Sequence, residues 1–494
     1  MNDAPGSCAN PGARRRVGMA AAMTAAMAFG AAFAAAPPSS VATGASTPVA
    51  PAASTAVPAL DTIVLKNGLS VDRLERRGLP LVELLLLVPT GSAADPPGKE
   101  GLASLTAALL SRGSAGKSAA QFAEEVEYLG GVLQADADAD RTLVAGEFAA
   151  RDFETGLGLL AGMVRRPVFA DEEVARERDL LVAARDAALD APEALAEEAL
   201  ARVLYAGHPY ARPVEGFRPT LRTLTRDDVT GWHARHFAAG KALLAVVGPI
   251  DATRARRAID RAFGDWPRGA MEMERLPAMP RVAGRDILLI DRPEATQSQI
   301  RMAQATLGRT DPAWPALAVG NAVLGGAFSS RLNDEIRVKR GLAYGIESRL
   351  LPRRAGATFE VATATRNEKA TESLGLLLEL VGRMQKEGLG EEELAAGKSY
   401  LAGLAPLRIE SPDALASAIL QRRLLGLDPT GFVRFPDELR AVRLDDANAA
   451  VRRGLPGEDR AIVVVGPAAA LKEPLGRYGK VTVRPAAWVV DGDR

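Results

Sequence analysis

Histidine and cysteine are almost missing from this chain, with three and one, respectively, among 494 residues. A single cysteine excludes an internal disulfide framework and any thiolate-rich zinc site. Three histidines leave little room for an imidazole-based metal centre. Aromatics make up only 5%, and neither charge is in surplus, with 61 Lys+Arg against 61 Asp+Glu. That balance argues against a nucleic-acid partner, which calls for a basic excess. A hydrophobic fraction of 47% suits globular cores and is too high for a disordered chain. The length suggests roughly two to four compact units. No phosphate loop, nucleotide fingerprint or Ser-His-Asp signature stands out. Gly325-Gly326 is not followed by the Lys-Ser/Thr of a P-loop.

The N-terminus reads as an address. Arg14-Arg15-Arg16 precedes an Ala- and Met-rich apolar stretch, Val17 to Ala34, followed by small residues. This is the order of a secretory signal peptide, expected to occupy residues 1–36. The alternative is an uncleaved membrane anchor, for which a short, mostly Ala stretch is weak. Cys8 lies upstream of the arginines, so it is not a lipobox cysteine and should leave with the signal. Removal leaves 58 basic and 60 acidic residues. Residues 37–59, rich in Pro, Ala and Ser, read as a flexible tether. No later segment is apolar enough to span a membrane. We therefore expect a periplasmic or secreted protein with no membrane contact after processing.

The body reads as two copies of one plan. Lys66-Asn67-Gly68 predicts a hairpin turn. Leu81–Val88 reads as an apolar run and hence a buried strand. Gly101–Arg112 has helical spacing, with Leu102, Leu105 and Leu109 on one face. Further helices are expected at 118–129, 152–163, 171–190, 193–204 and about 226–237. Asp227-Asp228 and a later strand closed by Gly248-Pro249 recur, 218 residues on, as Asp445-Asp446 and Gly466-Pro467. Matched spacing with matched apolar runs points to duplication. The expectation is an α+β fold of two homologous domains, 60–267 and 284–494, joined by a linker at 268–283. Each would be a mainly antiparallel sheet with helices on one face.

Leu324-Gly325-Gly326-Ala327-Phe328-Ser329-Ser330-Arg331-Leu332-Asn333 runs on to Ile336-Arg337 and Arg340-Gly341-Leu342-Ala343-Tyr344. With Leu65-Lys66-Asn67-Gly68-Leu69 and Gly130-Gly131, this resembles the insulinase/pitrilysin-type zinc metallopeptidases. The likeness is to their mitochondrial-processing-peptidase-like bacterial form and covers roughly 60–490. It implies that the two domains form half of a clamshell. Active members carry H-x-x-E-H on the first long helix, its histidines holding zinc from one helical face. The Glu between them serves as general base, and a distal Glu completes the ligands. The matching positions here are Ser104 and Ala108 for the histidines, Ala107 for the base and Ala184 for the distal ligand. None can supply a strong ligand or a carboxylate, so no zinc or other cofactor is expected in this chain, nor catalysis by it alone.

The resemblance also implies a substrate side to the composite site. Arg337 would hydrogen-bond peptide carbonyls and Tyr344 would stabilise an oxyanion. The glycine-rich Leu324–Ser330 segment, with Gly325, Gly326, Phe328 and Ser329, would contact the peptide. The expectation is an inactive subunit of a heterodimeric zinc peptidase, paired with a zinc-bearing sister. One alternative is a non-enzymatic peptide-binding or scaffold homodimer. Another is an active peptidase with a relocated metal, but His233-Ala234-Arg235-His236 offers only two imidazoles. These read as packing histidines, and His208-Pro209-Tyr210 as a loop without chemistry.

Overall fold

The structure, a computed structural model, describes residues 59–269, 273, 275–455 and 457–493. The expected signal segment (1–36) and all but the last residue of the expected tether lie outside them. In the N-terminal half the strands are β1 (Leu60–Val64), β2 (Ser70–Glu75), β3 (Leu81–Val88), β4 (Val132–Ala137), β5 (Thr142–Ala149) and β6 (Leu243–Gly248). They form a six-stranded sheet in the order β1-β2-β6-β3-β5-β4. The C-terminal half has β7 (Ile287–Asp291), β8 (Gln297–Thr306), β9 (Ala343–Arg353), β10 (Gly356–Arg366), β11 (Ala461–Gly466) and β12 (Val481–Pro485). Their order is β12-β7-β11-β8-β10-β9. Five strands therefore follow the same plan in both sheets, and only the edge strands β1 and β12 differ in origin. β1 pairs antiparallel with β2, and β12 parallel with β7.

Both sheets are mainly antiparallel, with parallel pairs at β2–β6, β7–β11 and β7–β12. The β1–β2 hairpin turns at Lys66-Asn67-Gly68, where Gly68 takes a φ of 93°, favourable only without a Cβ. Asn67 Nδ2 donates to the carbonyls of Phe263 and Trp266 at 2.7 and 2.9 Å, pinning the turn to the body.

Helices of the first half are α1 (Leu102–Leu110), α2 (Ala119–Tyr128), α3 (Phe153–Arg165), α4 (Asp171–Ala188), α5 (Pro192–Leu204), α6 (Arg218–Leu221), α7 (Arg226–His236) and α8 (Ala252–Phe263). The second half has α9 (Trp314–Asn321), α10 (Ala370–Glu387), α11 (Glu391–Leu404), α12 (Pro412–Leu424), α13 (Phe435–Ala441), α14 (Leu444–Gly454), α15 (Ala468–Leu475) and α16 (Ala486–Asp491). None of the described helices is long and apolar enough to cross a membrane.

Strand alternation sends Val82, Leu84, Leu86, Leu244 and Val246 into the core shared with the first half's own helices. Leu85, Leu87, Ala245 and Val247 face the other way. There they meet Leu415, Ala416, Ile419, Leu420 and Leu424 of α12, a helix of the second half. The second sheet mirrors this. Ile287, Ile300 and Val464 face its own helices, while Ile290, Val463 and Val465 meet Leu195, Ala196, Ala199, Leu200 and Leu204 of α5, from the first half. Each half thus lends one helix to the other's sheet. The expectation of helices on one face only is corrected, since the sequence pattern gave no sign that a distant helix would cover the second.

Polar ties fix the exchange. Arg423 of α12 forms a two-pronged ion pair with the buried Asp72 of β2, at 2.8 and 2.7 Å. Arg301 of β8 pairs with Glu193 at the start of α5, at 3.3 Å. Tyr210 hydrogen-bonds Asp140, whose other oxygen accepts the Arg354 amide at 3.0 Å from the β9–β10 turn.

Glu83 interrupts the apolar run of β3. It lies opposite Glu147 on β5, and its carboxyl is pushed up to about 8 by burial, with Glu147 and Asp413 adding negative potential. The folded chain therefore holds a proton that the unfolded chain, at an ordinary 4.5, releases. Stability from this group is full at low pH and falls as pH rises from about 4.5 to about 8. Glu83→Gln should match wild type near pH 5 and be the more stable by a few kcal/mol near pH 9. Parallel stability–pH curves would contradict this. Leu420→Ala should cost about 2–5 kcal/mol. Because α12 joins both halves, Trp232 and Trp266 in the first half's core and the buried Trp314 of α9 in the second half should report the same shifted denaturant midpoint. Separate transitions would show that the halves fold independently.

Candidate functional site

The helix that would carry a zinc motif is α1. Asp95 begins it, accepting the Gly101 and Ala103 amides at 3.0 and 2.9 Å. Burial pushes its carboxyl up to about 7 despite these bonds. Ala107 is buried, and Ser104 and Ala108 are half-buried. The Ser104 hydroxyl donates to the Val214 carbonyl at 2.7 Å, in a loop packed against the start of α1. A Cβ on Gly216 of that loop would lie 2.2 Å from the Glu100 carbonyl oxygen. Ala184 is exposed on α4, which packs against α1. The buried carboxylate on α4 near the end of α1 is Glu177, bonded by Arg112 Nε at 2.6 Å. Three alanines and a serine already engaged in packing do not fit a zinc ion. Among the described residues, no group of three or more His, Cys, Asp or Glu could hold a metal.

The histidines are spent on packing. His233 bonds the Val164 carbonyl at 2.8 Å and stacks on Phe237, His236 packs on Trp232, and His208 accepts the Tyr210 amide at 3.1 Å. Burial lowers all three, His236 to about 4, so they are neutral at pH 7.

The second cluster is built differently. The glycine-rich segment is no simple loop. It is bracketed by two π-helical stretches, Ala322–Gly326 and Asn333–Lys339, a geometry frequent at functional sites. Gly325 is a close-approach position, where a Cβ would sit 2.6 Å from Ser348 Oγ and 2.9 Å from the Ser348 amide nitrogen. Asn321 Nδ2 donates to the Ser348 carbonyl at 3.1 Å, and Asn333 Nδ2 to the Ile346 carbonyl at 2.8 Å. Both π-helical stretches are thereby sutured to β9. Gly326, Phe328 and Ser329 are exposed, with Phe328 at 67%.

Tyr344 stands at 90% exposure near the start of β9. Pairing with β10 slips there, from Ile346↔Thr363 to Ala343↔Thr365, so Tyr344 and Gly345 form a β-bulge. Bulges re-aim side chains at a sheet edge. The Arg337 guanidinium lies between the two rings, 4.8 Å from the Phe328 centroid and 5.0 Å from that of Tyr344. The structure thus brings Arg337, Phe328 and Tyr344 into one stack. Gly325 belongs to its support.

Two family models match the chain. One, described as insulinase (peptidase family M16), covers residues 76–217, and the other, peptidase M16 inactive domain, covers 223–401. The chain belongs to peptidase family M16. The crystal structure of a peptidase M16 inactive domain from Pseudomonas fluorescens superposes with a TM-score of 0.78 at 28% identity, over 83% of this chain and 98% of that one. An uncharacterized zinc protease of Mycobacterium leprae is 26% identical over 80% of this chain and 89% of its own length. The periplasmic protease PqqL of Escherichia coli shares the fold, with a TM-score of 0.70 at 18% identity, over 89% of this chain and 49% of that one.

Sequence reasoning missed the supports of this M16 chain. Asn321 is an amide in an otherwise apolar helical stretch, a visible sign of a backbone to be satisfied, whereas Asn333 opens a mostly charged stretch and gives no such sign. Tyr210, read as a loop residue, ties the halves through Asp140, a long-range pairing with no local signature. Gly325→Ala should destabilise the protein by about 1–3 kcal/mol in chemical denaturation. Phe328→Ala, at an exposed position, should stay within about 0.5 kcal/mol of wild type. Equal losses would show that Phe328 is structural.

Proposed function

We propose that this chain is the non-catalytic, substrate-side subunit of an exported, composite zinc peptidase. The observation that carries the reading is a contrast within one molecule. Helix α1 has no metal donor at Ser104, Ala107 or Ala108, while the Arg337–Phe328–Tyr344 stack stands exposed on a dedicated scaffold. Keeping two aromatic rings in water does not favour folding, so a bound partner or substrate is the natural reason for them. In this reading the Arg337 guanidinium binds a peptide carbonyl and the Tyr344 hydroxyl donates to an oxygen gaining negative charge. Gly326, Phe328 and Ser329 line the peptide's path. A zinc-bearing M16 sister subunit would hold the metal and the general base. The relatives named zinc proteases support a peptidase context, and the neighbour named an inactive domain supports a chain without its own centre. The Arg14–Arg16 segment with its apolar sequel supports export, as does a neighbour named a periplasmic protease.

The test is to purify the mature chain alone and with an M16 sister encoded beside it, then measure bound zinc and peptide cleavage. The chain alone should hold no stoichiometric zinc and cut nothing, while the pair should cleave. Arg337→Ala should lower kcat/KM of the pair about 10²-fold without loss of stability. EDTA-sensitive cleavage by this chain alone would sink the proposal. A homodimer that binds peptides and never cuts them beside a sister would replace it with a scaffold role.

A further inference from the structure

The C-terminal half contains a cavity of about 560 Å3, walled by α9, the π-helical stretch Ala322–Gly326, β9, α11 and α12. That volume suits a small organic ligand. Its lining is mostly apolar, including Trp314, Leu350, Phe432 and Phe435, yet Arg309 and Arg422 also line it. Arg309 lies 5.3 Å from the Trp314 ring and 4.9 Å from the Phe435 ring. Among the described residues no carboxylate forms an ion pair with it. Arg422 donates from Nε to a carbonyl, that of Asp428, at 2.5 Å, while the Asp428 carboxylate is taken by Arg434 at 2.6 Å. The acid lining the cavity, Glu347, is engaged by Arg349. Burial and, after it, the neighbouring charge of Arg422 lower Arg309 to about 10, with Glu438 working the other way. Two partly desolvated cations of like sign beside an apolar space, neither held in a side-chain ion pair among the described residues and offset only at longer range by Glu438 and Asp428, are relieved by an anion.

We propose that this cavity binds a small apolar acid, its carboxylate held by Arg309 and Arg422 and its hydrocarbon body against Trp314, Leu350, Phe432 and Phe435. The site is independent of the peptidase reading, because none of these residues belongs to the Arg337 stack. Its wall does include Asn321, Ala322 and Gly326, so an occupant touches the base of the glycine-rich segment.

The experiment uses the full mature chain and decanoate below its micellar concentration, with titration calorimetry and tryptophan fluorescence as readouts. Decanol tests the body without the charge, and inorganic phosphate tests the charge without the body. Decanoate should bind saturably, and both controls should bind at least about tenfold more weakly. Combined Arg309→Gln and Arg422→Gln should weaken decanoate binding by about tenfold or more while leaving the melting temperature of the free chain unchanged. Ala418→Phe, which fills the cavity from α12, should abolish binding and serves if the arginine variants fail to fold. Equal affinity for decanoate and decanol, no binding of decanoate, or binding unaffected by Ala418→Phe would each overturn the proposal.

Discussion

Everything in this molecule depends on the exchange of two helices. A six-stranded sheet has two faces, and apolar residues on both must be kept from water. Here each half covers one face with its own helices and relies on the other half for the second, through α12 in one direction and α5 in the other. That explains why β6 and β11 read as unbroken apolar strands, because they are buried on both sides. It also couples distant features. α12 presses on the first sheet, brings Asp413 into the field of Glu83, and forms one wall of the arginine-lined cavity.

The two exchanged helices repeat in the sequence, though at a spacing easy to overlook. Pro192-Glu193-Ala194-Leu195-Ala196 and Pro412-Asp413-Ala414-Leu415-Ala416 lie 220 residues apart. Beyond them, Ala199, Leu200 and Leu204 repeat as Ile419, Leu420 and Leu424. The strand pair β6 and β11 repeats at 218, so a search at one fixed offset finds the strands and misses the helices. Even found, the repeat would not have told which sheet each helix covers, since that depends on chain path and not on local pattern. The hairpin turn and the long helices were readable because each rests on neighbouring residues. The π-helical stretches, the Tyr344 bulge and the Asp140–Tyr210 tie rest on contacts between remote segments, and no local rule reaches them.

The vacancy at the zinc positions has a physical logic of its own. An imidazole or carboxylate left on a buried helix face without its metal is an unsatisfied polar group and destabilises the fold. Alanine removes that penalty and favours the helix. On α1, small residues at the buried Ala107 and the half-buried Ser104 and Ala108 therefore suit a helix without a metal, whereas the exposed Ala184 is under no such constraint. Ser104 keeps a polar atom only because the Val214 carbonyl accepts its proton.

No such pressure explains the other end of the molecule. Arg337, Phe328 and Tyr344 add little to stability, since a cation–π contact at an exposed site is worth about 0.5–1 kcal/mol. Their support is nonetheless elaborate, with two π-helical stretches, a bulge, and two asparagines bonded to the β9 backbone. Irregular backbone of this kind is retained against the tendency toward regular pairing. Stability accounts for α1 being simplified and does not account for the stack being held in place. Burial thus suffices to account for α1 and not for the stack, whose exposure fits the contact with another molecule proposed above. A subunit that has given up its own centre but still serves a neighbour's would face this division.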